Sequence, residues 1–168
     1  NIQYQYYTAQ QGNNRLQQIL APGLLNLEYD YDPVGNVLTI TDVITNQVQS
    51  FGYDWLDRLT QARATGTGDG LYQHRYSYGP TGNISTTSRY SGTQWITHTY
   101  YYSDELHIHA ATGLSNGWEF VYDLNGNMTG RLDSESYTQT FDVENRLVMV
   151  TDRETLSTTV FVYNGDGQ

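Results

Sequence analysis

From Leu27 onward, strand-like segments follow one another, separated by short polar bends. The residues leading into the bends read aromatic-x-aromatic: Tyr29/Tyr31, Phe51/Tyr53, Tyr76/Tyr78, Tyr100/Tyr102, Phe120/Tyr122 and Phe161/Tyr163. A spacing of two places both rings on one face of a β-strand. The segments leaving the bends, such as Val37-Leu38-Thr39-Ile40-Thr41 and Leu147-Val148-Met149-Val150-Thr151, are β-branched or apolar on both faces, which suggests partial cover on both sides. No stretch carries a sustained i, i+3, i+4, i+7 pattern with caps, so the pattern predicts almost no helix. The expected architecture is all-β, a run of consecutive antiparallel hairpins.

The bend chemistry is clearest in Phe120-Val121-Tyr122-Asp123-Leu124-Asn125-Gly126-Asn127-Met128-Thr129. Asp123 can open a type I turn, Asn125 suits its third position, and Gly126 can take the left-handed conformation that follows. This is a three-residue hairpin loop with a glycine bulge, and it brings Tyr122 near Met128 on the paired strand. The frame recurs as Tyr31-Asp32-Pro33-Val34-Gly35-Asn36-Val37, Tyr53-Asp54-Trp55-Leu56-Asp57-Arg58-Leu59, Tyr78-Gly79-Pro80-Thr81-Gly82-Asn83-Ile84 and Phe141-Asp142-Val143-Glu144-Asn145-Arg146-Leu147. It begins again at Tyr163-Asn164-Gly165-Asp166-Gly167. The fourth residue after the aromatic is Gly35, Asp57, Gly82, Gly126, Asn145 or Gly167, all from the set that tolerates positive φ. A copy led by Tyr102 puts Leu106 at that position, which predicts an irregular connection there.

Adjacent copies lie 19 to 25 residues apart, so the chain is an internal repeat. The reading is one array over residues 1–168, with 1–26 as a less regular leading segment and 27–168 as repeats. Thr65 to Gly70 is predicted to be a long, flexible hairpin loop. A lone hairpin is marginal in water, so stability has to come from neighbours, and the aromatic pairs are expected to form ring ladders from repeat to repeat.

Composition narrows the partners. The 168 residues carry a formal net charge of −10, and all eight basic residues are Arg. That balance argues against nucleic acid or an anionic membrane as a partner, since neither phosphate neutralisation nor a polybasic patch is available. The absence of Cys excludes disulfides and thiolate metal sites. No apolar run approaches the ~20 residues of a membrane span. The chain starts without Met and stops inside a bend, as expected of a piece of a longer protein.

Several patterns hint at chemistry. Gly113-Leu114-Ser115-Asn116-Gly117 matches a nucleophile elbow formally, but that motif requires a following helix, and Trp118-Glu119-Phe120-Val121-Tyr122 is strand-like. His107 and His109 would share a face on a strand, beside Asp104 and Glu105, a geometry open to a divalent metal; a hydrogen-bonded structural pair is the simpler reading. Asn164-Gly165-Asp166-Gly167 lacks the ligand series of a calcium loop. Asp32, Asp54, Asp123 and Asp142 occupy one place in every bend, which argues for backbone caps over a glycosidase pair. Trp55, Trp95 and Trp118 could offer sugar-stacking platforms, with Trp55 the most exposed. The sequons at Asn83 and Asn127 fall just past left-handed turn residues in paired strands. No catalytic residue, metal ligand or cofactor site is assigned. The assigned residues are those of the turn: Tyr31, Asp32, Gly35, Tyr53, Asp54, Asp57, Tyr78, Gly82, Tyr122, Asp123, Gly126, Phe141, Asp142, Asn145, Tyr163 and Gly167.

These bends resemble the YD-repeat, or Rhs, family, whose signature is Tyr-Asp followed by Gly and then Arg-Leu-Thr or Asn-Met-Thr. Tyr122 to Thr129 is similar to it, as are Tyr53 to Thr60 and Phe141 to Leu147, and His107-Ile108-His109-Ala110-Ala111-Thr112 resembles a His-x-His-Ala element of bacterial members. The resemblance implies a spiralling, curved sheet of hairpins, the wall of a hollow shell that encloses a toxin or serves as a surface scaffold. It implies a secreted or cell-surface location, partners among neighbouring repeats of the same shell, and no catalysis. The aspartate-containing self-cleavage segment of toxin-bearing members is not in this sequence, so no protease residues carry over. Two other readings remain open here: self-association into filaments through open strand edges, and a carbohydrate-binding module.

Overall fold

The computed structural model describes residues 1–67, 70–133 and 136–165. The protein is all-β, and the described residues form fifteen strands in sequence order, each hydrogen-bonded to its neighbours in the chain. The one helical turn among the described residues is α1 (Ala9–Gly12). By compactness the chain forms two units, Asn1–Gly79 with Thr86–Thr97, and Pro80–Ser85 with His98–Gln168.

The first unit begins with β1 (Gln3–Tyr6), β2 (Leu16–Ala21), β3 (Leu25–Tyr31), β4 (Val37–Asp42), β5 (Gln47–Tyr53), β6 (Leu59–Thr65) and β7 (Gln73–Tyr78). Tyr31 pairs with Val37 and Tyr53 with Leu59, each at a register shift that marks a bulge. The first hairpin repeats this register, pairing Tyr6 with Leu16 at a bulge, although its loop is longer and holds α1. The loop closes through the Tyr7 N–H on the Arg15 carbonyl (2.9 Å), after Asn13 and Asn14 both turn left-handed. The leading segment is therefore a hairpin of the same type with an enlarged bend.

Directly opposed residues share a sheet face, and the registers separate two faces in this unit. Tyr29 opposes Ile40, Phe51 opposes Ala62, and Ala62 opposes His74 on one. Asp30, Thr39, Ser50, Arg63 and Gln73 oppose one another in turn on the other. The strand leaving the bend, β4, is half-buried along its whole length, the partial cover on both sides that its β-branched and apolar residues suggested. Leu38 and Ile40 join the aromatic face, while Thr39 and Thr41 join the polar one. Thr is β-branched and suits a strand, but its hydroxyl tolerates water. The long loop after β6 runs from Gly66 to Tyr72, with Gly68 and Asp69 outside the described residues.

β8 (Ile84–Tyr90) and β9 (Trp95–Tyr101) each contribute to both units. The second unit continues with β10 (Gly113–Leu114), β11 (Glu119–Tyr122), β12 (Met128–Leu132), β13 (Tyr137–Phe141), β14 (Leu147–Asp152) and β15 (Thr158–Val160). Tyr122 pairs with Met128 and Phe141 with Leu147, again at bulges. Residues 102–112 form the irregular connection foreseen at the altered copy. Among the described residues the buried hydrophobics are Ala62, Ala64 and Leu114, and no large side chain is fully buried. Cohesion therefore rests on strand pairing and on links between bends.

Candidate functional site along the repeated turns

Each leading aspartate caps its own bend. Asp32 Oδ1 accepts from the N–H groups of Gly35 (2.7 Å) and Asn36 (2.8 Å), and Oδ2 from Asn36 Nδ2 (2.9 Å). Asp54 Oδ1 accepts from the N–H groups of Leu56 (2.9 Å) and Arg58 (3.0 Å), and Oδ2 from Arg58 Nε (2.8 Å). Asp123 does the same for Asn125 and Asn127, and Asp142 for Glu144 and Arg146. The fourth residue after the aromatic is left-handed in the described copies other than that of Tyr102: Gly35 (φ 115°), Asp57 (59°), Gly82 (86°), Gly126 (85°) and Asn145 (58°). Gly167 and Asp166 lie outside the described residues.

Hydrogen bonding holds the capping carboxylates below their ordinary value of 3.8: the Arg58 side chain on Asp54, the Asn127 side chain on Asp123, and the Arg146 N–H on Asp142. At Asp32, desolvation pushes up, but the Asn36 amide and the turn N–H groups outweigh it. A depressed folded-state pKa means stability that is present above 3.8 and lost as pH falls through the lower folded values. The thermal midpoint is expected to drop between about pH 5 and about pH 2, and the drop should shrink when these four aspartates are replaced by Asn.

The tyrosines tie successive hairpins together by their hydroxyls. Tyr31 donates to the carbonyl of Leu16 (2.9 Å), Tyr53 to Val37 (3.0 Å), Tyr78 to Leu59 (2.7 Å), Tyr102 to Ile84 (2.8 Å) and Tyr163 to Leu147 (2.7 Å). Each acceptor is the first residue of the strand leaving the preceding bend. Tyr122 reaches Ala111 (2.8 Å), within the irregular connection. The expected ring ladder is replaced by this arrangement. Leading aromatics of successive hairpins stand two strands, or ~10 Å, apart, too far for ring stacking but right for a phenol to span. Of the leading tyrosines, Tyr31 meets another tyrosine ring, Tyr7, edge-on at 6.5 Å. Removing one such hydroxyl by Tyr53→Phe should cost about 0.5–1.5 kcal/mol in denaturant unfolding.

A second set of links joins bend to bend, and it alternates. The residue after the left-handed position is Arg15, Asn36, Arg58, Asn83, then Asn127 and Arg146. Two of the asparagines reach forward to the side chain at the next left-handed position, Asn36 Nδ2 to Asp57 Oδ1 (2.8 Å) and Asn127 Nδ2 to Asn145 Oδ1 (2.9 Å), while Asn83 Nδ2 reaches the Ile108 carbonyl (2.7 Å) in the 102–112 connection. The arginines lie over the next tyrosine ring, with Arg15 on Tyr31 at 5.7 Å, Arg58 on Tyr78 at 4.4 Å and Arg146 on Tyr163 at 5.0 Å. Arg15 also donates to the carbonyls of Asp32 (3.0 Å) and Pro33 (3.4 Å). The Asn/Arg alternation stands in the sequence, but its partners emerge only from the register.

The remaining candidates separate. His107 and His109 do not share a strand face, because the segment leaves the sheet: His107 Nδ1 meets Asp104 Oδ2 at 2.8 Å, and His109 Nδ1 meets Asn83 Oδ1 at 2.6 Å. Among the described residues no group of three metal-ligating side chains converges. Ser115 Oγ accepts from the Thr99 N–H (3.0 Å), and the bend runs into strand β11. Trp55 stands 87% exposed at a bend tip. Trp95 is capped by Arg75 at 4.1 Å and Tyr90 at 5.4 Å. The amides of Asn83 and Asn127 are engaged, with Asn83 Nδ2 donating to Ile108 O (2.7 Å) and Asn127 Nδ2 to Asp123 Oδ2 (3.0 Å).

No family model and no curated protein matches the chain. Among solved structures it is similar in fold to TcdB2-TccC3-Cdc42 (TM-score 0.57, 17% identity) and to TcdB2-TccC3 without its hypervariable C-terminal region (TM-score 0.58, 16%), covering 93% of this chain in both. A Photorhabdus luminescens Tc holotoxin pore with a TccC3 mutation matches 90% of the chain (TM-score 0.56, 18% identity). The chain spans about a tenth of the length of those chains. At such identities the likeness is one of fold: a segment of antiparallel β-sheet of the kind found in Tc toxin components.

Proposed function

We propose that this chain is a structural wall segment of a YD/Rhs-type shell on a secreted or surface protein, without catalysis of its own. The observation that carries this reading is the repeat-to-repeat linkage. Six tyrosine hydroxyls and the alternating Asn and Arg side chains join hairpin to hairpin, while only three hydrophobic residues are buried among the described residues. Such a molecule devotes its polar groups to extending a surface. The fold likeness to Tc toxin chains supports the same reading.

The test is single-particle imaging of the natural full-length gene product. These residues should lie as contiguous hairpins within a closed wall. A particle in which they form a separate module, or turnover of an ester, peptide or glycoside that disappears on Ser115→Ala, would overturn the reading.

A further inference from the structure

We propose that the link between the 102–112 connection and the Asp123 bend is a proton-operated joint, with His107 standing where every second linking bend carries a permanently charged arginine. The alternation of linking residues runs Arg15, Asn36, Arg58, Asn83, and then Asn127 and Arg146. An arginine position is missing between Asn83 and Asn127, and His107 fills it, combining the aspartate contact of Arg58 and Arg146 with the forward carbonyl contact of Arg15.

Arg58 and Arg146 hold the Oδ2 atom of their own bend's aspartate through Nε, both at 2.8 Å. His107 Nδ1 holds Asp104 Oδ2 at the same 2.8 Å. Arg15 reaches forward to the carbonyl of Pro33, the residue after the next bend's aspartate, at 3.4 Å. His107 Nε2 reaches the carbonyl of Leu124, the residue after Asp123, also at 3.4 Å. Arg15 lies beneath Gly35, where an added Cβ would fall 2.8 Å from its Nη2, and His107 lies beneath Gly126, where a Cβ would fall 3.4 Å from its Cδ2. The imidazole ring stands 6.5 Å from Tyr122, the ring that corresponds to Tyr31 under Arg15.

The two hydrogen-bond partners of this imidazole are both acceptors, a carboxylate and a carbonyl. A neutral ring has one N–H, so either tautomer aims a lone pair at one of them. Only the imidazolium satisfies both, and an arginine does so at every pH. The charged and titratable groups facing the ring are Asp104 in its own connection and Asp123 and Tyr122 from the neighbouring hairpin. The Asp104 carboxylate and then the Leu124 carbonyl and Asp123 raise the His107 pKa above 6.5, against some desolvation. The raised value makes this link complete below 6.5 and lost as pH rises through the folded pKa. Asp104, depressed below 3.8 chiefly by its bond to His107, keeps its charge down to that region. The joint is therefore strongest in mildly acidic solution and loosens as pH rises through the folded His107 pKa.

The experiment is amide hydrogen exchange on the whole chain, corrected for intrinsic rates, across about pH 5.5 to about pH 8.5, with His107 followed by NMR. Protection at His107, Gly126 and Asn127 is expected to fall several-fold as pH rises, with a midpoint at the His107 pKa and above that of a free histidine. His107→Arg should hold protection constant across the range, and His107→Gln should hold it at the lower level. PH-independent protection in the parent chain, a His107 midpoint at or below the free value, or an unchanged pH dependence in His107→Arg would each overturn the proposal.

Discussion

Gly66→Ala is expected to be the most damaging small substitution in the chain, costing about 2–4 kcal/mol in denaturant unfolding. Gly66 follows β6 with φ +133°, a region essentially reserved for glycine. A Cβ there would come 2.3 Å from the carbonyl oxygen of Asn46 and 2.8 Å from the Cα of Gln47. Both are backbone atoms of the neighbouring bend, which Asp42 caps through the N–H groups of Ile44 and Thr45 and which turns left-handed at Asn46. Neither obstacle can swing aside as a side-chain tip would. The β4–β5 bend or the β6 terminus must move, and strand pairing between Val48 and Thr65 is the first to suffer. A loss no larger than that of an exposed Ser→Ala control would show that the two bends are not in contact.

Gly126→Val is expected to follow closely, at roughly 2–3 kcal/mol, with Gly82→Val somewhat smaller. Both positions are left-handed, at φ 85° and 86°, and a β-branched residue strains either one equally. The difference lies above them. Nothing comes within 4 Å of a Cβ on Gly82, whereas on Gly126 it meets the His107 ring at 3.4 Å. Valine adds two methyl groups to that contact, so the second variant carries backbone strain alone and the first adds crowding of the imidazole. Ser77→Val, on an exposed strand position between Tyr76 and Tyr78, is the control and should be tolerated. Unfolding midpoints that fall equally for all three would mean that φ at the bends does not decide stability.

The turn frame was legible in the sequence because it is local. An aspartate, a left-handed residue and an aliphatic partner sit within seven positions, and hydrogen bonds among neighbours need no tertiary information to be foreseen. What joins one frame to the next was not legible. The Tyr53 hydroxyl finds Val37 and the Asn36 amide finds Asp57 only after the strand register is known. The partial cover of both faces of the strand leaving the bend was legible because Val37 to Thr41 are all β-branched or apolar, whereas the opposite faces taken by Thr39 and Ile40 follow from the register. The histidines were placed on a strand because i, i+2 spacing was applied to a segment that leaves the sheet. There Asp104, two residues after the aromatic instead of one, shifts the cap onto Leu106 and His107. A carboxylate displaced by one position was the signal that the segment bends differently.

The alternation of Asn and Arg links makes two hairpins, not one, the unit that can be copied. A gene that gained or lost a single hairpin would set two asparagines or two arginines side by side and leave their forward partners mismatched. Adding or removing hairpins in twos preserves the alternation. Heritable variation in the length of such arrays should therefore proceed in even steps.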